Sequence, residues 1–428
     1  MIKKFSAPRG TYDILPENIP AWEMVENNAR RILKTYGYRE IRTPIYEETA
    51  LFKRSLGQTS DIVHKQLLEL ATDDVGAINN RPYALRPEGT ASVVRSYIEN
   101  DLDKKEPLSK LFYIGPMFRG ERPQKGRLRQ FHQIGVEAIG PHSASPYLDA
   151  EVIVLAIHLL KDFGINNPKL KINSLGSKED KEHIAVWLRG ELGKHKKELC
   201  EDCQDRFERN VFRVLDCKNE QCKNIAGAII NRLYGQGLPL SEASRKYFEQ
   251  VQSCLKNAGL DFEISPSLVR GLDYYIHTVF EIIAEGLGSQ DAVAAGGRYD
   301  GLIHELGGNE KIAYGAMGVA LGIDRILLAS GHRQEIPMAM DAFVISMDPK
   351  QAFVFVHLLR QSGISADMGF TGGSFKSQMN RANKLNARFA LILGEEELKN
   401  KMVSMKNMSD GKQEMVGIEE CVRILAAN

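Results

Sequence analysis

Residues 119–133, RGERPQKGRLRQFHQ, set five fixed cations, Arg119, Arg122, Lys125, Arg127 and Arg129, against the single carboxylate of Glu121 and close with Phe131, His132 and Gln133. A guanidinium is a planar fork of donors shaped for phosphate or carboxylate, and an aromatic ring beside it offers a face to a base. The combination points to a bound nucleoside triphosphate. A solvated turn is the plainer reading of any charged loop, so the surrounding residues must decide. No GxxxxGK[ST] follows a strand, because 369–377, GFTGGSFKS, has the wrong spacing, and no GxGxxG follows one either. A triphosphate bound here is held without a P-loop.

Three further stretches carry reactive residue types. RPEGT, 86–90, is a turn by default. RGLDYY, 270–275, packs one cation, one anion and two phenols into six positions, a set costly to bury unless its members pair with one another or with a ligand. AAGGRYDG, 294–301, has three glycines that would let backbone approach a ligand closely. Each is weak alone; their order along one chain is what gives them weight.

These residues need a scaffold. LFYIGPMF (111–118) and FHQIGVEAI (131–139) are strand-like runs on either side of the arginine-rich stretch, so an antiparallel hairpin is expected. Period two then sorts the second run, with Phe131, Gln133, Gly135 and Glu137 on one face and His132, Ile134, Val136 and Ala138 on the other. Trp22, Val25, Ala29, Ile32, Leu33 and Tyr36 recur at helical spacing, and YREIRTPIYE after them reads as a strand that reaches an edge or an interface at Pro44, or as a plain surface hairpin. A helix over about 145–164, a strand from Lys169 and a lysine-rich helical insertion over about 177–255 follow. GAMGVALGIDRILLA, 315–329, reads as an apolar helix in which Gly318 and Gly322 form a GxxxG packing contact. Past a linker at 330–341, strands alternate with helices, the pattern of a small α/β domain with largely parallel strands.

Length and composition allow two or three domains: 428 residues, 43% hydrophobic, net charge +1. Near-neutrality excludes little, since polyanions are bound by local basic faces. No apolar run follows the N-terminal lysines, and the longest apolar block, from Val152, falls short of the roughly 20 residues that span a bilayer. The expectation is a cytoplasmic protein with no membrane partner.

The chain resembles a class II aminoacyl-tRNA synthetase, and specifically the histidyl-tRNA synthetase family, over essentially its full length. FRGERPQKGRLRQFHQIGVE (118–137) and GVALGIDRIL (318–327) are similar to two class motifs, while RGLDYYIHTVFE and AAGGRYDGLI resemble signatures of the histidine enzyme. The resemblance implies an α+β fold: a catalytic domain at 1–329 with a six-stranded antiparallel sheet flanked by helices, the insertion at about 177–255, and an anticodon-binding α/β domain at 342–428. It implies an ATP-dependent histidine--tRNA ligase that forms histidyl-adenylate and passes histidine to the 3′-terminal ribose of tRNA(His), working as a homodimer with L-histidine, ATP, Mg²⁺ and tRNA. Arg119 and Arg270 would be catalytic at the reacting phosphate. Glu121, Arg127, Phe131 and Arg325, with Arg119, would bind ATP. Glu88, Gly89 and Thr90 would hold the α-amino group, and Gln133, Glu137, Tyr274 and Tyr275 would line the histidine pocket.

Two other readings compete: a histidine-binding regulatory paralogue of ATP phosphoribosyltransferase, which shares the catalytic fold, and a generic ATP-dependent ligase. Such paralogues typically lose parts of the motifs and the anticodon domain, whereas Arg119, Arg270 and Arg325 are all present here and an α/β domain follows. If the insertion clamps the acceptor stem, its deletion would spare adenylate formation and impair charging. In the C-terminal domain Lys376, Arg381, Lys384 and Arg388 give 374–388 a local charge of +4, suited to RNA or simply to water. Cys200, Cys203, Cys217 and Cys222 approach a structural zinc spacing, but the four-residue gap and lysine-rich surroundings fit less well, and the family does not require zinc. The balance from spacing falls against a metal.

Overall fold

In the computed structural model, which describes residues 5–57, 60–70, 82–124, 126–235, 239–285, 287, 291–331 and 340–427, alternation along the arginine-rich region sets the central sheet. In chain order the first strands are β1 (Arg39–Glu40), β2 (Tyr46–Glu48), β3 (Tyr83–Leu85), β4 (Ser109–Phe118) and β5 (Gln130–Pro141). They are followed by β6 (Lys169–Ser174), β7 (Glu263–Ile264), β8 (Ile276–Ile283), β9 (Ala292–Arg298) and β10 (Tyr314–Gly322). The sheet order is β1-β4-β5-β10-β9-β8-β6-β7, with β2 and β3 forming a separate pair. The inner six are antiparallel throughout, and the two-residue strands β1 and β7 add to the edges in parallel. The expected six-stranded antiparallel sheet therefore lies inside one of eight strands.

The expected hairpin is β4 with β5, Phe118 opposite Gln130. Ile134, Val136 and Ala138 enter a core shared with helix Pro146–Asp162 and helix Ile19–Thr35, while Gly135 and Glu137 face the opposite side. Helix Pro146–Asp162 starts where Ser145 accepts from the Tyr147 N–H, with proline in the first turn, a position where its missing donor costs nothing.

The stretch 315–329 departs from its reading. It is strand β10 through Gly322 and a helix only over Ile323–Ser330. Gly318 and Gly322 pair with Glu137 and Gln133 across the sheet, so the GxxxG spacing marks two ladder positions and no helix contact. Apolar residues on both faces made strand and buried helix indistinguishable by pattern.

The insertion also ends earlier than expected. Helices Lys178–Gly193, Glu201–Arg209 and Glu220–Gly235 form it, but in helix Glu242–Asn257 the residues Phe248, Val251 and Leu255 fill the same core as helix Pro146–Asp162.

The described residues divide into two compact units, the larger running to residue 331 and the smaller comprising residues from 340 onward with the short segment Pro16–Pro20. Most of the expected linker, 332–339, lies outside the described residues, as does Lys125. The smaller unit has strands β11 (Ala342–Ser346), β12 (Ala366–Met368), β13 (Phe389–Leu393), β14 (Met402–Asn407) and β15 (Gln413–Gly417) in the order β12-β11-β13-β14-β15. The first three are mutually parallel and the last two antiparallel, so the sheet is mixed. Among the described residues no helix is long and apolar enough to cross a membrane.

Candidate active site

One pocket on the larger unit gathers residues from distant parts of the chain: Glu88 and Thr90, Arg119, Glu121 and Arg127, Phe131 and Gln133, Arg270, Tyr274 and Tyr275, and Arg325. Of the expected site residues, Gly89 and Glu137 do not line it; both lie just behind the wall. The basic end is built by the β4–β5 loop and the helix that follows β10. The Arg119 guanidinium carbon stands 5.1 Å from the centroid of the Phe131 ring, and its Nε donates to the Pro87 carbonyl at 2.9 Å. Arg127 pairs with Glu121 at 3.0 Å. Arg325 donates to two backbone carbonyls, Gly126 at 2.9 Å and Ala292 at 2.7 Å. Burial and the neighbouring guanidiniums of Arg127 and Arg119 hold Arg325 below its ordinary pKa. Arg127 and Arg325 thus crowd one end, with Arg119 near them and Glu121 paired to Arg127, an arrangement that favours a polyanion.

The other end is carboxylic and aromatic. Glu88 accepts from the Thr90 and Ala91 N–H groups at 2.6 and 3.0 Å, at the start of helix Thr90–Glu99. Thr90 Oγ1 donates to Glu137 Oε1 at 2.6 Å, and the Tyr299 hydroxyl donates to Oε2. Burial raises both acids, and Glu137, with Glu88 nearby, is pushed up to about 8. Arg119 stands between the two ends: burial lowers its pKa against the opposing fields of Glu121 and Glu88.

Tyr113 and Tyr299 were missed, and the signal for Tyr113 lies in two glycines. A Cβ at Gly135 would stand 1.9 Å from Tyr113 Cζ, and one at Gly89 2.2 Å, so both glycines clear space for that ring. Gly89 therefore helps shape the wall by making room for the Tyr113 ring. The glycines of 294–301 likewise serve the protein: a Cβ at Gly296 would meet the Gly318 carbonyl at 2.2 Å, and one at Gly297 the Tyr275 ring at 2.8 Å. Close strand and ring packing requires these two, whereas a Cβ at Gly301 would meet nothing within 4 Å. In the same stretch Arg298 is buried in ion pairs with Asp149 and Asp300.

Among the described residues that line the pocket, Gln133 Oε1 and Arg270 Nε are buried polar atoms without a hydrogen-bond partner. Arg270 uses Nη1 for Glu281 at 2.8 Å, which orients it and leaves Nε available. Buried polar groups are satisfied in native structures, so these atoms point to a ligand.

The insertion braces this pocket. Lys181 Nζ donates to the backbone carbonyls of Asp273 and Tyr275 at 2.7 and 2.8 Å, and Asn210 donates to Asp273 Oδ1 at 2.6 Å. The RGLDYY backbone therefore rests in part on side chains of the insertion.

An antiparallel six-strand platform carrying a triphosphate-suited arginine cluster without a P-loop defines a class II aminoacyl-tRNA synthetase. A family model described as Histidyl-tRNA synthetase matches residues 10–177 and 223–326, and one described as Anticodon binding domain matches 341–428. The "Histidine--tRNA ligase" of Syntrophotalea carbinolica is 44% identical over 420 residues, 97% of this chain and 96% of that protein. The crystal structure of apo S. aureus histidyl-tRNA synthetase superposes with a TM-score of 0.77 at 34% identity, covering 99% of this chain and 100% of that one. The chain belongs to the histidyl-tRNA synthetase family. A structure described as an ATP phosphoribosyltransferase regulatory subunit/histidyl-tRNA synthetase, from Bacillus halodurans C, is 21% identical with a TM-score of 0.63 and shares the fold.

Proposed function

We propose that this chain is an ATP-dependent histidine--tRNA ligase that converts L-histidine and ATP to histidyl-adenylate and pyrophosphate, then transfers histidine to the 3′-terminal ribose of tRNA(His). One observation carries the assignment of roles: the pocket is split in polarity, with Glu88 and Glu137 toward one end, Arg127 and Arg325 at the other, and Arg119 between. A zwitterionic amino acid fits that split, its ammonium toward Glu88 and Thr90 and its carboxylate toward Arg119. The same placement sets the carboxylate beside the α-phosphate of an ATP held by the arginines, with Phe131 offering a face to the base.

The histidine carboxylate is ionised at neutral pH and needs no general base to attack the α-phosphorus. Catalysis then reduces to in-line positioning and stabilisation of developing charge, which Arg119 and Arg270 supply. Magnesium suits the triphosphate end, where Glu121 provides a hard oxygen donor, and when bound it would neutralise phosphate charge. The imidazole lies toward Gln133, Tyr274 and Tyr275, with Glu137 behind them. Polar groups aimed at a substrate's nitrogens reject analogues that lack them by about 10⁴ to 10⁵, so such a pocket needs no editing site.

We divide the chain into a catalytic domain at 1–329 and an anticodon-binding domain at 342–428, acting as a cytoplasmic homodimer; family membership supports this, and sedimentation would test the dimer. The complete arginine set and the C-terminal unit favour the ligase over the regulatory paralogue. Histidine-dependent ATP–pyrophosphate exchange followed by charging of tRNA(His) is the test. Absence of exchange with all substrates present would overturn the reading.

A further inference from the structure

Four sulfur atoms inside the insertion meet. The Sγ atoms of Cys200, Cys203, Cys217 and Cys222 all lie within 4.8 Å of one another, and Cys200 and Cys217 are 3.8 Å apart. Thiolates bound to zinc at about 2.3 Å in a tetrahedron stand about 3.8 Å from each other. None of the four is in a disulfide; Cys203 and Cys222 are fully buried, Cys217 nearly so. We propose that these cysteines hold one structural zinc ion as a closed four-thiolate site.

Local structure supports it beyond proximity. Cys200 and Cys203 sit at the start of helix Glu201–Arg209, and Cys222 lies in the first turn of helix Glu220–Gly235, so two positive helix ends converge on the sulfurs. Backbone N–H groups are aimed at sulfur as a thiolate's outer partners would be: Cys200 N donates to Cys222 Sγ at 3.2 Å and Asn219 N to Cys217 Sγ at 3.4 Å. The four-residue gap that counted against a metal is taken up by a turn in which Asn219 Oδ1 accepts from the Cys222 N–H at 3.2 Å. The basic surroundings also change sign as an argument. Four thiolates on Zn²⁺ carry a net charge of −2, and Arg206 lies within the field of Cys203.

The site has a structural task. It closes the loop between Cys203 and Cys217, which carries Asn210 and Arg213. Asn210 holds Asp273, and Arg213 pairs with Asp61 at 3.2 Å and backs Gly271, so the ion would stiffen the support of the RGLDYY motif. The matched family model skips 178–222, and all four cysteines fall outside it.

The proposal stands on the cluster alone and is tested apart from ligase activity. Full-length protein purified without chelators should contain about one zinc per chain by elemental analysis. Metal-free protein given Co²⁺ alone should develop the visible absorption of tetrahedral thiolate-bound cobalt. Cys203→Ser and Cys222→Ser should abolish both signals, while Cys254→Ser retains them. If those variants fail to fold, titrating the native protein with a mercurial should release zinc in step with its thiols. Protein that takes up neither zinc nor cobalt, that holds iron instead, or that has a disulfide among the four would overturn the proposal.

Discussion

Gly318 and Glu137 face each other across the β5–β10 ladder so closely that a Cβ on Gly318 would stand 2.0 Å from Glu137 Oε2. The bare backbone leaves room for the Glu137 carboxyl group, which accepts from both Thr90 and Tyr299. Gly318→Ala should push the carboxyl aside, cost about 1–3 kcal/mol of stability through overpacking, and raise the KM for histidine at least tenfold. The KM for ATP should stay within about twofold, since the arginines are untouched. Steady-state exchange kinetics over both substrates check this, and an unchanged histidine KM would disprove the relationship's role.

Arg270 offers a sharper separation of binding from chemistry. Its Nη1 is committed to Glu281, while Nε is buried without a partner. Arg270→Ala should reduce histidine-dependent pyrophosphate exchange by about 10³, in the range of losing one charge-stabilising donor, with an unaltered circular dichroism spectrum. Arg270→Lys keeps the charge but not the fork and should recover only a small part. Near-normal exchange in Arg270→Ala would remove this residue from the reaction.

Glu137 should also leave a mark on stability. Its folded-state pKa is raised from the ordinary 4.5 to about 8, first by burial. Between those values the folded protein holds a proton that the unfolded chain has released. The associated stability is fully present below about pH 4.5 and is lost as pH rises toward 8. Glu137→Gln carries no such proton, so the thermal midpoint of the native protein should fall relative to that of Glu137→Gln as pH goes from 5 to 8. Glu88, also raised, leaves a residual slope in both. Parallel curves would mean that Glu137 is ionised throughout.

Period two in 131–139 was enough to place Ile134, Val136 and Ala138 in the core and Gly135 and Glu137 on the opposite face, because strand alternation is fixed by backbone geometry. The arginines and the tyrosine pair were legible as chemistry because charged and phenolic groups are costly to bury without a purpose, whereas RPEGT read as a turn and took on a role only through the family resemblance. Glycine was the hard case. Gly89, Gly135, Gly296 and Gly318 are needed for contacts with residues far away in sequence, so nothing local revealed Tyr113 as the partner of the first two or Glu137 as that of the last. The cysteine cluster was visible as a spacing, but the convergence of its four sulfurs was not, because it depends on how two helix starts and the turn between Cys217 and Cys222 fold together. Strand β10, apolar on both faces, could not be told from a helix for want of any periodicity.

The C-terminal unit carries the remaining prediction. Of the four cations counted there, Arg388 lies beyond helix Phe375–Lys384 and pairs with Asp341 at 3.2 Å, leaving Lys376, Arg381 and Lys384 exposed on the helix. Nearby, Asn383, Asn386, Asn407 and Ser409 line a polar groove with the Phe389 ring, a surface able to hydrogen-bond and stack bases. If tRNA uses this face, changing Lys376, Arg381 and Lys384 together to Gln removes up to three phosphate contacts. The slope of log affinity against log salt should then become shallower by roughly two, since each contact contributes about 0.7 to 0.9. Affinity at low salt should fall, while pyrophosphate exchange, which needs only the larger unit's pocket, should not change. Filter binding across a salt series measures the slope. An unaltered slope with the three charges gone would place the tRNA contacts elsewhere on the chain.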